Sequence, residues 1–442
     1  MDIPRHALQL LKRWKNSTDR KPVVLQGARQ VGKTWLLKHF GEREFQNVAY
    51  FNFERQTELK QFFETTKDPE QIIENLTLVH GSAILPQFTL IIFDEIQECN
   101  DALNSLKYFC EDAPGYVIAC AGSLLGVAMS RGASFPVGKV DFITVYPVSF
   151  SEFLAVADQD LFRYTESIDK FKPVPDIFFN PLKDKLKMFY ISGGMPEAIV
   201  ALLDKRDLQT TQDVLQNILN AYSLDFSKHV DPKDILKIQY IWASIPLQLA
   251  RENKKFLYRT VKTGARAREY EDALQWLVNA GLTYRIFCSS KPSLPLSSYD
   301  DVSAFKVYMP DVGLLRRLSL LDPIAVSEGN RLFTEFRGAM TENYILESLV
   351  NQFEGLPRYW RSGNMAEVDF LVQYKNRVIP MEVKSDENVR SKSLSFYRKA
   401  YNPKLAVRYS LKNLSLEDGL ISIPLFLADH TARFIDMALS KS

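Results

Sequence analysis

The chain has 442 residues, with 55 Lys and Arg against 53 Asp and Glu and a hydrophobic fraction of 46%. A formal charge of +2 excludes a histone-like polycation and an acidic disordered chain, so any nucleic-acid surface must be a local patch. Apolar runs such as Leu90-Ile-Ile-Phe93 fall far short of the ~20 residues that cross a bilayer. Four cysteines without Cys-x-x-Cys spacing exclude a zinc finger and a disulfide scaffold. Lys12, Arg13 and Lys15 lead into a polar run and not an apolar one, so the expectation is a cytoplasmic protein with reduced thiols and no membrane partner.

The first 150 residues alternate strand-like and helical stretches. Val23–Gln26 reads as a strand, followed by a helix to about Phe40 with Gly41 placed to stop it. Further strands are expected at Val48–Phe53, Leu90–Phe93, Tyr116–Ala121 and Asp141–Val145, with a helix at Asp101–Cys110. Such alternation implies an α/β fold with a mostly parallel sheet, whose ligand site lies beyond the C-terminal strand ends. There the chain reads Gly27-Ala28-Arg29-Gln30-Val31-Gly32-Lys33-Thr34, the Gly-x-x-x-x-Gly-Lys-[Ser/Thr] pattern of a phosphate-binding loop. Glycines let successive N–H groups turn inward, and the following helix presents its positive end. Lys33 is expected to reach the β- and γ-phosphates of ATP, and the Thr34 hydroxyl to ligate Mg²⁺.

Leu90–Phe93 ends in Asp94-Glu95, an apolar strand delivering two acids to the same edge. Asp94 would hold the metal and Glu95 would polarise the attacking water. The next strand ends in Gly122-Ser123, where Ser123 could touch the γ-phosphate or serve as ordinary turn chemistry.

These motifs, with Tyr146-Pro-Val-Ser-Phe150, Gly193-Gly-Met-Pro-Glu197, Met309-Pro-Asp-Val-Gly-Leu-Leu315 and Glu367-Val-Asp-Phe370, resemble the prokaryotic AAA-type ATPases with a C-terminal restriction-endonuclease-like domain of unknown function. The resemblance implies ATP binding and a helical lid, and it puts Ser123 at the sensor-1 position. Where such proteins often show Gly-Arg, this chain has Gly138-Lys139, which keeps the charge without the bidentate fork. Sites of this kind often borrow an arginine from a neighbouring subunit, which would favour a homo-oligomeric ring; Arg131 is the candidate here.

Four domains are expected: an ATPase core at 1–150, a helical lid at 151–230, a winged-helix-like domain at 231–320 and the restriction-endonuclease-like domain at 321–442. Proline breaks are expected in the lid at Pro173-Val-Pro175 and Asn180-Pro181. Amphipathic stretches at Ile235–Leu249 and Glu269–Ala280 precede strands at Leu282–Phe287 and Phe305–Met309, the makings of a winged helix. Arg251, Lys254, Lys255, Arg259, Lys262, Arg266 and Arg268 form a basic run opposed only by Glu252, so DNA phosphates are a candidate partner; a solvated helix face is the plain alternative.

Glu367–Tyr374 and Arg377–Lys384 read as paired strands joined through Lys375-Asn376. A two-residue turn would set Asp369 opposite Glu382 and Glu367 opposite Lys384. Facing carboxylates call for a cation, and Mg²⁺ with oxygen ligands is one. The Asp…Glu-x-Lys pattern resembles the restriction-endonuclease-like nucleases, with Asp369 and Glu382 as metal ligands, Lys384 orienting water, and Glu342 matching the additional helical acid. Glu342 shares a helix face with Ile345, Leu346 and Leu349, where a carboxylate is costly without a partner. Cross-strand ion pairs in a non-cutting domain are the alternative. Three functions compete: an ATP-driven enzyme acting with DNA, a metal-dependent nuclease regulated by ATP, and a slow nucleotide switch that scaffolds a protein complex.

Overall fold

The computed structural model describes residues 1–122, 136–252, 254–328, 334–363, 365–385 and 392–440. Ser123 and Arg131 fall outside the described residues. The chain divides into two units. One comprises Pro4–Tyr146 with Trp276–Leu282, the other Met1–Ile3, Pro147–Gln275 and Thr283–Ser442.

The first unit is built on a parallel sheet of β1 (Val23–Gln26), β2 (Asn47–Asn52), β3 (Thr89–Asp94), β4 (Val117–Ala121) and β5 (Asp141–Thr144). Its spatial order is β2-β3-β4-β1-β5, so β4 separates the strand that precedes the glycine-rich turn from the strand that ends in two acids. Every residue of β3 and β4 is buried, which explains the unbroken apolar stretches Leu90–Phe93 and Val117–Ala121: a parallel strand covered on both faces has no solvent side. Phe51, Phe53, Phe63 and Phe93 fill one face, with Phe63 meeting Phe53 and Phe93 edge-on at 5.5 and 5.6 Å. The helix after the turn runs Lys33–Glu44, past the stop expected at Gly41. Gly41 answers a packing demand instead, because a Cβ there would lie 2.7 Å from Val48 Cγ2 and 3.1 Å from Leu90 Cδ2.

The second unit begins with helices at Phe150–Ala157, Gln159–Ser167, Asp176–Ser192, Pro196–Asp204, Leu208–His229 and Pro232–Ala250. Ser149 and Glu152 form a reciprocal capping box at the first. The break at Pro175 is as expected, whereas Pro181 lies inside a continuous helix. The carbonyl that loses its bond to Pro181 belongs to exposed Ile177, where water can replace the missing donor. The Gly193-Gly194 and Asp311 motifs are brought together structurally: buried Asp311 accepts from the Gly194 and Leu314 N–H groups.

A mixed sheet follows, made of β6 (Tyr284–Ser289), β7 (Asp300–Tyr308), β8 (Arg358–Ser362), β9 (Ala366–Tyr374), β10 (Arg377–Val383), β11 (Ala406–Ser410), β12 (Ser415–Glu417) and β13 (Leu420–Pro424). Its order is β12-β13-β11-β10-β9-β8-β6-β7. The β6–β7 hairpin expected as the wing of a separate domain is therefore the edge of this sheet, with β6 pairing in parallel with β8. Strands from before and after residue 320 therefore share one sheet. The β9–β10 turn is the expected two-residue one: Lys375 and Asn376 have φ of 43° and 33°, the left-handed pair that matches hairpin twist.

Candidate nucleotide site and a buried charge cluster

Residues 27–34 curl between the end of β1 and the helix Lys33–Glu44. Gly27 has φ 141°, and a Cβ there would sit 2.1 Å from the Val145 carbonyl oxygen, so only glycine fits. Gly32, at φ 94°, and Gln30, at φ 67°, complete the curl. Arg5, buried just before the first helix, braces the loop by donating to the Val31 carbonyl at 2.9 Å and the Tyr146 carbonyl at 2.6 Å.

Lys33 is only 7% exposed, and its ammonium donates to the carbonyl oxygens of Gly27 at 2.9 Å and Ala28 at 2.7 Å. Burial pulls its pKa down to about 8, despite the opposing fields of Glu95 and Asp94, and Arg29 adds to the fall. A cation in this state gains from a nearby anion, because carbonyl dipoles replace its lost hydration poorly. The next residue, Thr34, donates its hydroxyl to both carboxylate oxygens of Asp94 at 3.1 Å. Two side chains from β2 hold the same carboxylate: the Tyr50 hydroxyl at 2.7 Å and Asn52 Nδ2 at 3.2 Å, both donating to Oδ2. Asn52 is the register partner of Asp94, and Tyr50, two residues away, shares its face. Burial and the bond to Asp94 push the Tyr50 phenol up to about 12, so it remains a donor. Glu95 stands at φ 50°, a left-handed position sparsely used by non-glycine residues, with Gln97 Nε2 donating to its Oε2 at 2.6 Å.

The loop, Lys33, Thr34, Asp94 and Glu95 are thus assembled at one edge of the sheet. This set offers an anion cradle, a buried cation, two oxygen donors suited to Mg²⁺ and a further carboxylate. Lys139 is engaged elsewhere, 2.7 Å from Glu111. Neither Arg5, Tyr50 nor Asn52 was singled out from sequence. The alternation of Tyr50 and Asn52 on a strand neighbouring the acidic one was an available signal; Arg5 carried none.

In the second unit the C-terminal acids behave differently. β9–β10 pairing follows the expected register from Arg377↔Tyr374 to Met381↔Phe370 and ends there. The ladder stops one pair short of Asp369 and Glu382, and the Asp369 carboxylate accepts from the Val383 N–H at 2.8 Å. Glu382 is instead the register partner of Arg408 on β11 and pairs with Lys384 at 3.0 Å. Glu367 meets Lys306 at 2.7 Å and Arg361 at 3.3 Å, and not Lys384. Glu342, buried on the helix Thr334–Val350, bonds to Lys306 at 3.0 Å and to Lys254 and the Tyr308 hydroxyl.

These acids are thus met by cations of the chain itself, of which the ammonium of Lys306 is wholly buried. Burial works against its charge, but Glu342, Tyr308, Glu367 and Asp369 outweigh that and raise its pKa well above the ordinary lysine value. Burial likewise opposes ionisation of Glu342, and Lys254 and Lys306 overcome it to hold the carboxyl below its usual range. Asp369 is pushed up by burial and by Glu342. Glu342 and Asp369 share one cluster, and Lys384, which pairs with Glu382, feels the charges of both of them as well. Among the described residues, no group of three or more His, Cys, Asp or Glu side chains could hold a metal ion. Lys254, counted above in a surface basic run, belongs to this interior cluster. A lysine within the apolar run Phe305–Met309 was the signal for Lys306 that the sequence carried.

Residues 19–154 match the family model of the AAA domain. Residues 183–325 and 337–427 match two families described only as domains of unknown function. No curated protein matches the chain. Solved structures that align with it include the Walker-type ATPase PABY2304 of Pyrococcus abyssi, at 15% identity over 72% of this chain and 96% of that one, with a TM-score of 0.45. The RuvB Holliday junction branch migration motor of Thermotoga maritima is 14% identical over 63% and 87% of the two chains, with a TM-score of 0.29. The Orc1 protein of Aeropyrum pernix in complex with DNA is 12% identical over 72% and 94%, with a TM-score of 0.27. Among the described residues no helix is long and apolar enough to cross a membrane. Loop motif, parallel sheet and family match agree on a nucleotide-binding, AAA-type P-loop ATPase domain at residues 19–154.

Proposed function

We propose that the chain is a Mg²⁺-dependent ATPase whose nucleotide state controls C-terminal parts that contact DNA. One observation carries the reading: Lys33 is buried against two loop carbonyls, directly beside a Thr34–Asp94 pair that Tyr50 and Asn52 hold in place. In this reading the N–H groups of residues 27–34 wrap the phosphates, and Lys33 leaves its carbonyls for the β- and γ-phosphates. Thr34 and Asp94 would hold Mg²⁺, which when bound neutralises charge on the phosphate oxygens. Glu95 orients water and draws its proton, with Gln97 steadying the carboxylate. The DNA part rests on exposed Arg259, Lys262, Arg266 and Arg268, a local basic surface on a chain of nearly balanced charge.

Phosphate release by wild type and Glu95→Gln, with and without DNA, tests this. Wild type should hydrolyse ATP faster with DNA, and Glu95→Gln should bind ATP while losing roughly 100-fold or more in turnover. Equal turnover in both proteins would remove Glu95 from catalysis. Nucleotide binding without hydrolysis or DNA stimulation would favour the switch that scaffolds a protein complex.

The nuclease reading draws on Glu342 and Asp369 sharing a cluster, and is weakened by the lysines that neutralise them. Plasmid and single-stranded DNA incubated with Mg²⁺ or Mn²⁺ decide it. Cleavage lost in Asp369→Ala would establish the nuclease, and absence of cleavage by wild type would dismiss it.

A further inference from the structure

Between Lys392 and Lys412 the chain carries six cations (Lys392, Arg398, Lys399, Lys404, Arg408 and Lys412) and no acid, interleaved with Phe396, Tyr397, Tyr401 and Tyr409. The structure folds part of this run against the β9–β10 hairpin around a cleft of about 370 Å³, lined in part by Ile379, Tyr397, Tyr401, Leu405, Arg377 and Lys404. No carboxylate is among the described residues that line it. Tyr397 is buried and forms the inner wall, whereas Tyr401 is 45% exposed. Tyr401 is held by Tyr397 and Trp360, with ring centroids 4.8 and 5.5 Å away. Arg377 and Lys404 are both exposed at the cleft, and among the described residues neither has an ion-pair partner.

We infer that this cleft takes an unpaired base of single-stranded DNA, with Tyr401 as its stacking platform and Arg377 and Lys404 on the flanking phosphates. This deepens the DNA reading above by naming the form of DNA and the place. The chemistry is complementary at each point. A cleft of this volume suits one nucleobase and not a duplex, whose bases are already stacked on one another. An aromatic face anchored by two further rings lies ready for stacking with little loss of side-chain freedom, and any of the four bases presents a π-face to it. Two cations beside an acid-free cleft favour a polyanion threaded across it.

The test is fluorescence anisotropy of a labelled twelve-residue oligothymidylate, and of a duplex of equal length, with the full chain in the absence of ATP. The single strand should bind more tightly than the duplex. Tyr401→Ala should weaken single-strand binding about tenfold, and Tyr401→Phe should retain it. Lys404→Glu, at an exposed position where folding is not at stake, should weaken it comparably and flatten its salt dependence. Thermal melting of each variant separates lost binding from lost folding. Single-strand binding that is unaltered in both Tyr401→Ala and Lys404→Glu overturns the cleft while leaving DNA contact standing elsewhere. Competition by free dTMP at the affinity of the oligomer also overturns it, in favour of a mononucleotide site. Absence of all DNA binding by wild type defeats the DNA reading itself, and this inference with it.

Discussion

Two buried lysines show how one residue type serves opposite ends. Lys33 has been taken out of water without a partnered carboxylate, and burial wins: its pKa falls to about 8 and its ammonium leans on carbonyl dipoles. Lys306 is buried more completely, yet Glu342 and Glu367 clasp it directly and its pKa rises. The first site is electrostatically unfinished and a phosphate would complete it. The second already holds its own cation between Glu342 and Glu367, so an incoming one would compete with Lys306. The difference teaches that clustered acids and lysines are not by themselves a reactive centre; what matters is whether the fold has satisfied them.

The largest expected effect comes from breaking the satisfied cluster. Lys306→Met should cost about 3–5 kcal/mol in urea denaturation, because it leaves buried carboxylates uncompensated. Adding Glu342→Gln and Glu367→Gln should recover most of that loss. If Mn²⁺ raises the melting temperature of Lys306→Met, the cluster is metal-competent and the nuclease reading gains.

Lys33→Met should do the reverse. Nucleotide affinity, measured by calorimetry, should fall by roughly 100-fold with the charge-assisted contacts. The nucleotide-free protein should lose no stability and gain up to about 3 kcal/mol, since a strained charge has been removed. The sign can be followed with pH. Lys33 titrates lower when folded than when unfolded, so its penalty is full below about pH 8 and fades as pH rises toward the ordinary lysine value of 10.5. The stability advantage of Lys33→Met should accordingly shrink between pH 8 and pH 10; an advantage that grows with pH would contradict the comparison.

The smallest effect concerns the support behind Asp94. Tyr50→Phe removes one donor to Oδ2, and should raise the Mg²⁺ concentration for half-maximal turnover about tenfold. Its effect on stability should be about 1 kcal/mol. Unchanged Mg²⁺ dependence would mean that Thr34 and Asn52 suffice to position the carboxylate.

The residues of the phosphate loop and of the acidic strand end were legible because each lies within one short local stretch: a turn needs its glycines, and a doubly covered strand needs its unbroken apolar run. The bonding of the C-terminal acids is less legible for the same reason in reverse. The β9–β10 register holds as far as Met381↔Phe370, but Asp369 is bonded by the backbone of β10, Glu367 by Lys306 of β7 and Arg361 of β8, Glu382 by Lys384 just past β10, and Glu342 by Lys306 and by Lys254 from a distant loop. The wing-like hairpin was likewise recognised as a hairpin, while its membership of the eight-stranded sheet depended on pairing with β8, far away in sequence.

Sequence alone determined the parallel core, the glycine-bounded loop and the delivery of Asp94 and Glu95 to the edge it opens onto, because these follow from local backbone demands and strand burial. Tertiary structure decided which charges are spoken for. It placed Tyr50 and Asn52 behind Asp94, Arg5 under the loop, and Lys306 among the C-terminal acids. Electrostatic partnership acts through space across a few ångströms, and residues that close can be separated by 60 or more positions along the chain, as Lys306 and Glu367 are.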